Sequence, residues 1–125
     1  MVEFEAINIK TTKAGPYSHA IKVGNLIFVS GQISDLSIKT IKDQTINVFN
    51  KIKRILEAGG SKFSKIIKVT IFLKDIKEFG IMNQTYEEFF KNNGINETFP
   101  ARTTVEISNL PKPNLKIEID VIATI

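Results

Sequence analysis

The 125-residue chain contains no cysteine and only one histidine, His19. The missing cysteines exclude a disulfide scaffold, a thiol nucleophile and a cysteine-based metal site. One histidine cannot build a histidine-rich zinc site, so metal chemistry is not expected. Tryptophan is also absent, and there are four prolines and seven glycines. No apolar run approaches the ~20 residues that a membrane span requires. The stretch Met1-Val2-Glu3-Phe4-Glu5 lacks the basic and apolar regions of a signal peptide. The expectation is a cytoplasmic chain with no membrane contact. No domain linker or internal repeat is visible, so residues 1–125 read as a single domain.

The charge is ordinary in amount: 24% charged residues and a net charge of +4. The densest basic set, Lys51, Lys53 and Arg54, falls on a helical segment and reads as a solvated face. Nucleic acid is therefore not an expected partner. The segment Ala58-Gly59-Gly60-Ser61-Lys62 lacks phosphate-loop spacing and follows a helix, so it reads as a helix end.

Hydrophobic periodicity orders the rest. Glu3 to Ile9 is a candidate strand. Gly15-Pro16 makes a rigid corner for Tyr17-Ser18. Ala20–Val23 and Leu26–Val29, joined by Gly24-Asn25, read as a hairpin that ends at Ser30-Gly31-Gln32. Asp35 to Lys42 reads as a loop. From Asp43, as N-cap or first-turn acid, a helix carries Ile46, Phe49, Ile52 and Leu56 on one face. Ile66 to Leu73 is a strand, with Ile67, Val69, Ile71 and Leu73 expected on one side. A second helix runs from about Asp75 to Asn92. Phe99 to Ile107 follows as a strand with Pro100 at its entrance, then a linker from Ser108 to Leu115 carrying Pro111 and Pro113, then a final strand from Lys116 to Ile125 with Ile117, Ile119, Val121 and Ala123 on one face.

The order β-β-β-α-β-α-β-β gives an α+β chain: a mixed six-stranded sheet with two helices on one face. The strand-helix-strand passages are expected to join parallel strands. The opposite face is expected to carry Thr70, Phe72, Arg102, Thr104 and Glu118. It is too apolar for free solvent and too polar for a sealed core, so it is expected to pack against copies of itself and leave a polar cleft.

Arg102 is a permanent cation on a stiff strand next to Pro100. Its planar guanidinium suits either a surface ion pair or a two-bond grip on a carboxylate or phosphate. Tyr17 suits a corner hydrogen bond or a pocket wall, and Ser30 a strand end or a ligand contact. Asn83 suits a backbone bridge or a pocket, Phe79 the core or a pocket, and Glu118 a half-buried ion pair or a site.

Gly15-Pro16-Tyr17-Ser18, Phe28-Val29-Ser30-Gly31-Gln32, Phe99-Pro100-Ala101-Arg102 and Lys116-Ile117-Glu118-Ile119 together resemble the RidA (reactive intermediate deaminase) family, once called endoribonuclease L-PSP. Lys68-Val69-Thr70-Ile71 and Asn83-Gln84-Thr85-Tyr86 fit as well. The resemblance spans nearly the whole chain. It implies a chorismate-mutase-like fold, a homotrimer with clefts between subunits, and no cofactor. It also implies hydrolysis of 2-iminobutanoate, 2-iminopropanoate and related enamines, such as 2-aminoacrylate, to 2-keto acids and ammonia.

The implied partners are small 2-imino and 2-keto carboxylates. By the same resemblance Arg102 grips the carboxylate and Glu118 activates water. Tyr17 and Thr104 complete the catalytic set, with Ser30, Gly31, Asn83 and Phe79 as substrate contacts. His19 stands where many members carry Gln and is expected at the surface or behind the site. Thr104 replaces a cysteine found in several members. Ile33-Ser34-Asp35-Leu36-Ser37 departs from the usual Ile-Pro opening. The rival functions are an endoribonuclease or translation inhibitor, and a non-catalytic carboxylate sensor.

Overall fold

The computed structural model describes residues 3–125. Its elements are β1 (Phe4–Ile7), β2 (Ala20–Val23), β3 (Leu26–Ile33), α1 (Ile41–Ala58), β4 (Ile66–Leu73), α2 (Phe79–Asn92), β5 (Ala101–Glu106) and β6 (Ile117–Thr124). The strands form one six-stranded sheet in the order β1-β2-β3-β6-β4-β5. Only β4 and β5 pair in parallel; the other pairs are antiparallel. The mixed sheet with two helices is as expected. The strands joined through each helix run parallel, as expected, and across α2 they are also neighbours. The passage through α1 joins β3 to β4, and β6 lies between them, antiparallel to both.

That central position follows from the β6 sequence. Ile117, Ile119, Val121 and Ala123 are all at most 1% exposed and face Val69, Ile71 and Leu73 of β4 and the helices. A strand with four such residues in alternation is best covered when neighbours flank it on both edges. β4 itself departs from simple alternation. Ile66 is buried and Ile67 is 46% exposed, because the β4–β6 register slips between Ile66 and Lys68. Period-two reading assigned Ile67 to the core; the bulge reverses it.

Helix α1 begins earlier than expected. Thr40 is the N-cap, and its hydroxyl accepts from the Asp43 amide at 3.1 Å. Asp43 is thus the first-turn acid, and Ile41 and Lys42 belong to the helix, not to a loop. Ile52 and Leu56 are buried as expected, whereas Ile46 is only half-buried. Gly59 closes the helix, and a Cβ there would lie 2.6 Å from Ile7 Cδ1. Lys51 is not a solvated lysine: it pairs with Asp35 at 2.9 Å and donates to the Ile33 carbonyl.

The second helical segment is divided. A 3-10 turn, Ile76–Glu78, precedes α2. An aromatic cluster then fixes α2 on α1. Phe49 of α1 meets Tyr86, Phe89 and Phe90 of α2 at centroid distances of 5.6, 5.2 and 5.6 Å. Tyr86 stacks on Phe90 at 4.4 Å. This packing sets the rotation of α2, and hence which of its side chains reach the sheet edge. No helix among the described residues is long and apolar enough to cross a membrane.

Candidate active site

Arg102 lies on β5, directly after the entrance made by Pro100 and Ala101. In the parallel register it pairs with Val69, and Thr104 pairs with Ile71. Both therefore point to the helix side. Glu118 pairs with Phe72 and points to the other side, with Thr70 and Asp120. The expectation that Arg102 and Thr104 share a face with Glu118 is thus corrected. Alternation within each strand was right; the pairing register between strands sets the relative phase, and it carries no sequence signature.

On the helix side, the Arg102 guanidinium carbon sits 4.7 Å from the Tyr86 ring centroid and 5.6 Å from that of Phe79. Arg102 is half-buried and makes no ion pair among the described residues. A cavity of about 260 Å³ opens beside it, lined by Asn83, Tyr86, Glu87, Phe99, Pro100 and Arg102. Two buried hydroxyls on this side, Tyr86 and Thr104, have no protein partner among the described residues. Burial, against the pull of Arg102, pushes the Tyr86 phenol up to about 12, so it stays a neutral donor. Phe79 is 37% exposed and is a rim residue, not a core one.

A second cavity, of about 330 Å³, is lined by Ala14, Tyr17, Ser30, Gly31, Pro111 and Glu118. Here β3 bulges: its register with β6 shifts between Val29 and Gln32. The bulge places Gly31 against Glu118. A Cβ at Gly31 would sit 2.9 Å from Glu118 Cδ and overlap its Oε2. Burial first, and then the Asp120 charge, raise the Glu118 pKa. Asp120 is itself raised by burial, opposed by a hydrogen bond from Thr70 and by the Lys68 charge. The Tyr17 hydroxyl oxygen accepts from the Ala14 amide at 3.1 Å, which leaves its proton free to donate. The Ser30 hydroxyl donates to the Ser18 carbonyl at 2.7 Å and is thereby left as an acceptor.

The candidate residues thus gather into two clusters. Arg102, Asn83 and Phe79 form one, with Thr104 on the same sheet face; Tyr17, Ser30, Gly31 and Glu118 form the other. Tyr86 was missed as a site residue. Its spacing from Phe79 and Asn83 was visible, but an aromatic at helical spacing reads as core. Pro111, from the linker before β6, lines the second cavity. A larger cavity, about 660 Å³, runs between Lys39, Lys74 and Lys116 and holds none of the candidates. Among the described residues no group of three His, Asp or Glu side chains converges as a metal site.

The family described as Endoribonuclease L-PSP matches residues 8–125. The chain belongs to this family, the RidA family. A RutC family protein of Pyrococcus horikoshii is 48% identical over 87% of this chain and 86% of its own. The 2-iminobutanoate/2-iminopropanoate deaminase of Escherichia coli K12 is 43% identical over 87% of each. The crystal structure of E. coli TdcF with bound serine is 30% identical, covers 96% of this chain and 98% of its own, and superposes with a TM-score of 0.88. The RidA family includes imine deaminases, which supports a hydrolytic deaminase role at family level.

Proposed function

We propose that this RidA-family chain is a 2-iminobutanoate/2-iminopropanoate deaminase whose site is completed between copies of the chain. One observation carries the reading: a half-buried guanidinium that lies near two aromatic rings, lines a cavity, and has no anion of its own among the described residues. Structural arginines in such a setting normally have a carboxylate partner. Arg102 keeps its donor fork for a carboxylate brought by a ligand. The serine in the related TdcF structure is a small amino acid with such a group.

Glu118 supplies the second function. Burial and the Asp120 charge raise its pKa, which makes the carboxylate a stronger base toward water. Water adds to the imine carbon as Glu118 accepts its proton. The resulting carbinolamine receives that proton on nitrogen. The C–N bond then breaks, the hydroxyl loses its proton, and keto acid and ammonia leave. An enamine such as 2-aminoacrylate first takes a proton at its terminal carbon to become the imine. Tyr17 donates to the substrate, Ser30 and Gly31 border it, Asn83 and Phe79 flank Arg102, and Thr104 offers a hydroxyl behind it. None of these steps calls on a cofactor.

Arg102 and Glu118 lie on opposite faces of one sheet, so one protomer cannot present both to a molecule of this size. A homotrimer that brings Arg102 of one copy to the Glu118 cavity of the next resolves this. The same separation favours a second reading, a carboxylate sensor that binds at Arg102 without turnover. A ribonuclease is less well supported: the lone histidine is buried and its Nδ1 is already an acceptor.

The test couples the protein to a serine/threonine dehydratase and follows imine loss. Wild type should accelerate it. Arg102→Ala and Glu118→Gln should each lose at least about 100-fold in kcat/KM, as expected for losing a charge-assisted grip or a general base. If wild type leaves imine loss unaccelerated yet binds a small carboxylate through Arg102, the sensor reading stands; if Glu118→Gln hydrolyses as fast as an active wild type, Glu118 is not the base.

A further inference from the structure

His19 was expected near the surface or behind the site. It is 2% exposed, and it stands at the neck of the loop that carries Tyr17. Its ring Nε2 is buried without a protein partner among the described residues, and its other polar groups are engaged. Its Nδ1 accepts from the Ile9 amide at 3.1 Å. Its own amide donates to Asn8 Oδ1 at 3.1 Å, and Lys13 Nζ donates to the same oxygen at 3.1 Å. Its carbonyl accepts from the Ser30 amide at 2.9 Å, and the adjacent Ser18 carbonyl accepts from the Ser30 hydroxyl at 2.7 Å. The loop from Ile9 to His19 is thus closed at its neck, and that neck is tied to Ser30, the neighbour of Gly31 in the β3 bulge.

Only a neutral imidazole can accept at Nδ1. We propose that His19 is a positioning residue: its unprotonated Nδ1 holds the loop neck closed, so that Tyr17 and the Ser30–Gly31 bulge keep the shape of the Glu118 cavity, and protonation releases them. The inference rests on the deaminase reading for its effect on activity, but the clamp itself does not.

A proton on Nδ1 turns the acceptor into a donor facing the Ile9 N–H. The charged groups acting on His19 are both cations, Lys13 on the loop and Arg54 on α1. With burial as the larger cause, they lower its pKa below the ordinary 6.5. The loop therefore stays closed at neutral pH and opens on acidification.

The test compares wild type, His19→Gln and His19→Leu. Gln offers an acceptor that does not titrate; Leu keeps bulk and offers none. The first readout is exchange of the Ile9 amide by NMR from pH 3.5 to 8, as protection over the unfolded-chain rate. Wild type should lose about tenfold in protection on the acid side, His19→Gln should show no such loss, and His19→Leu should be unprotected throughout. The second readout is imine hydrolysis. His19→Leu should fall about tenfold in kcat/KM at pH 7.5, and His19→Gln should restore most of it. The acid limb common to wild type and His19→Gln belongs to Glu118; the steeper part present only in wild type belongs to His19.

Ile9 protection independent of pH in wild type, or unchanged in His19→Leu, overturns the clamp. If wild type hydrolyses no imine, the deaminase reading fails by itself and the Ile9 exchange still decides the clamp. If His19→Leu does not fold, the wild-type and His19→Gln pH series carry the comparison.

Discussion

At Gly31 the missing side chain makes room for Glu118. A methyl group there would press on the carboxyl end of Glu118, which must swing away from Gly31 to make room. Gly31→Ala should cost about 1–3 kcal/mol in a thermal melt and displace Glu118 enough to lower kcat/KM by about 10- to 100-fold. Glu118 also has a pH signature. The folded chain holds its proton more tightly than the unfolded chain, whose value is near 4.5. Stability contributed by this group is therefore present below about that pH and lost as pH rises through the raised native value. Glu118→Gln should melt higher than wild type at pH 7 and alike at pH 4. A lower melt at pH 7 would mean that the carboxylate has a stabilising partner. Gly31 and Glu118 were each visible in the sequence as motif members. Their contact was not, because it depends on a bulge joining β3 to β6.

Among the elements, α2 and β5 show how core packing sets a site. The aromatic cluster around Phe49 fixes α2, and Tyr86 consequently lies under Arg102. Tyr86→Leu removes the ring, worth about 0.5–2 kcal/mol in such contacts. The KM for a small imino acid should rise by about 2- to 30-fold, with circular dichroism unchanged. Tyr86→Phe keeps the ring and removes a buried hydroxyl with no protein partner, so its melting temperature should hold or rise. Both helices were legible from their three- and four-residue spacing, and β6 from its alternation. The limits were not. Thr40 caps α1 from outside the apolar pattern, and the β4 bulge reverses Ile67 without any composition cue.

For the whole molecule, the open sheet face and the split site point to assembly. Sedimentation at micromolar protein should give a trimer, and a monomer would remove the route by which Arg102 reaches Glu118. A sharper measurement mixes Arg102→Ala and Glu118→Gln chains after unfolding and refolding together. Each is inactive alone, yet random assembly should return about a quarter of wild-type activity, because a site needs one intact group from each of two copies. No recovery above either parent would place both groups in one subunit after all.

Local order along the chain reports what neighbouring residues prefer. Helix spacing, strand alternation and the Gly24-Asn25 turn are of this kind and legible without coordinates; Tyr17, Ser30, Arg102 and Glu118 stood out as site candidates through the family resemblance of their motifs. Strand order and register join residues far apart in sequence, and nearly equivalent alternating strands can pair in several phases. The insertion of β6 between β3 and β4, the opposite facing of Arg102 and Glu118, and the burial of His19 at the loop neck all arise at that level. They follow from which pairing covers the most apolar surface while leaving few buried polar groups without partners.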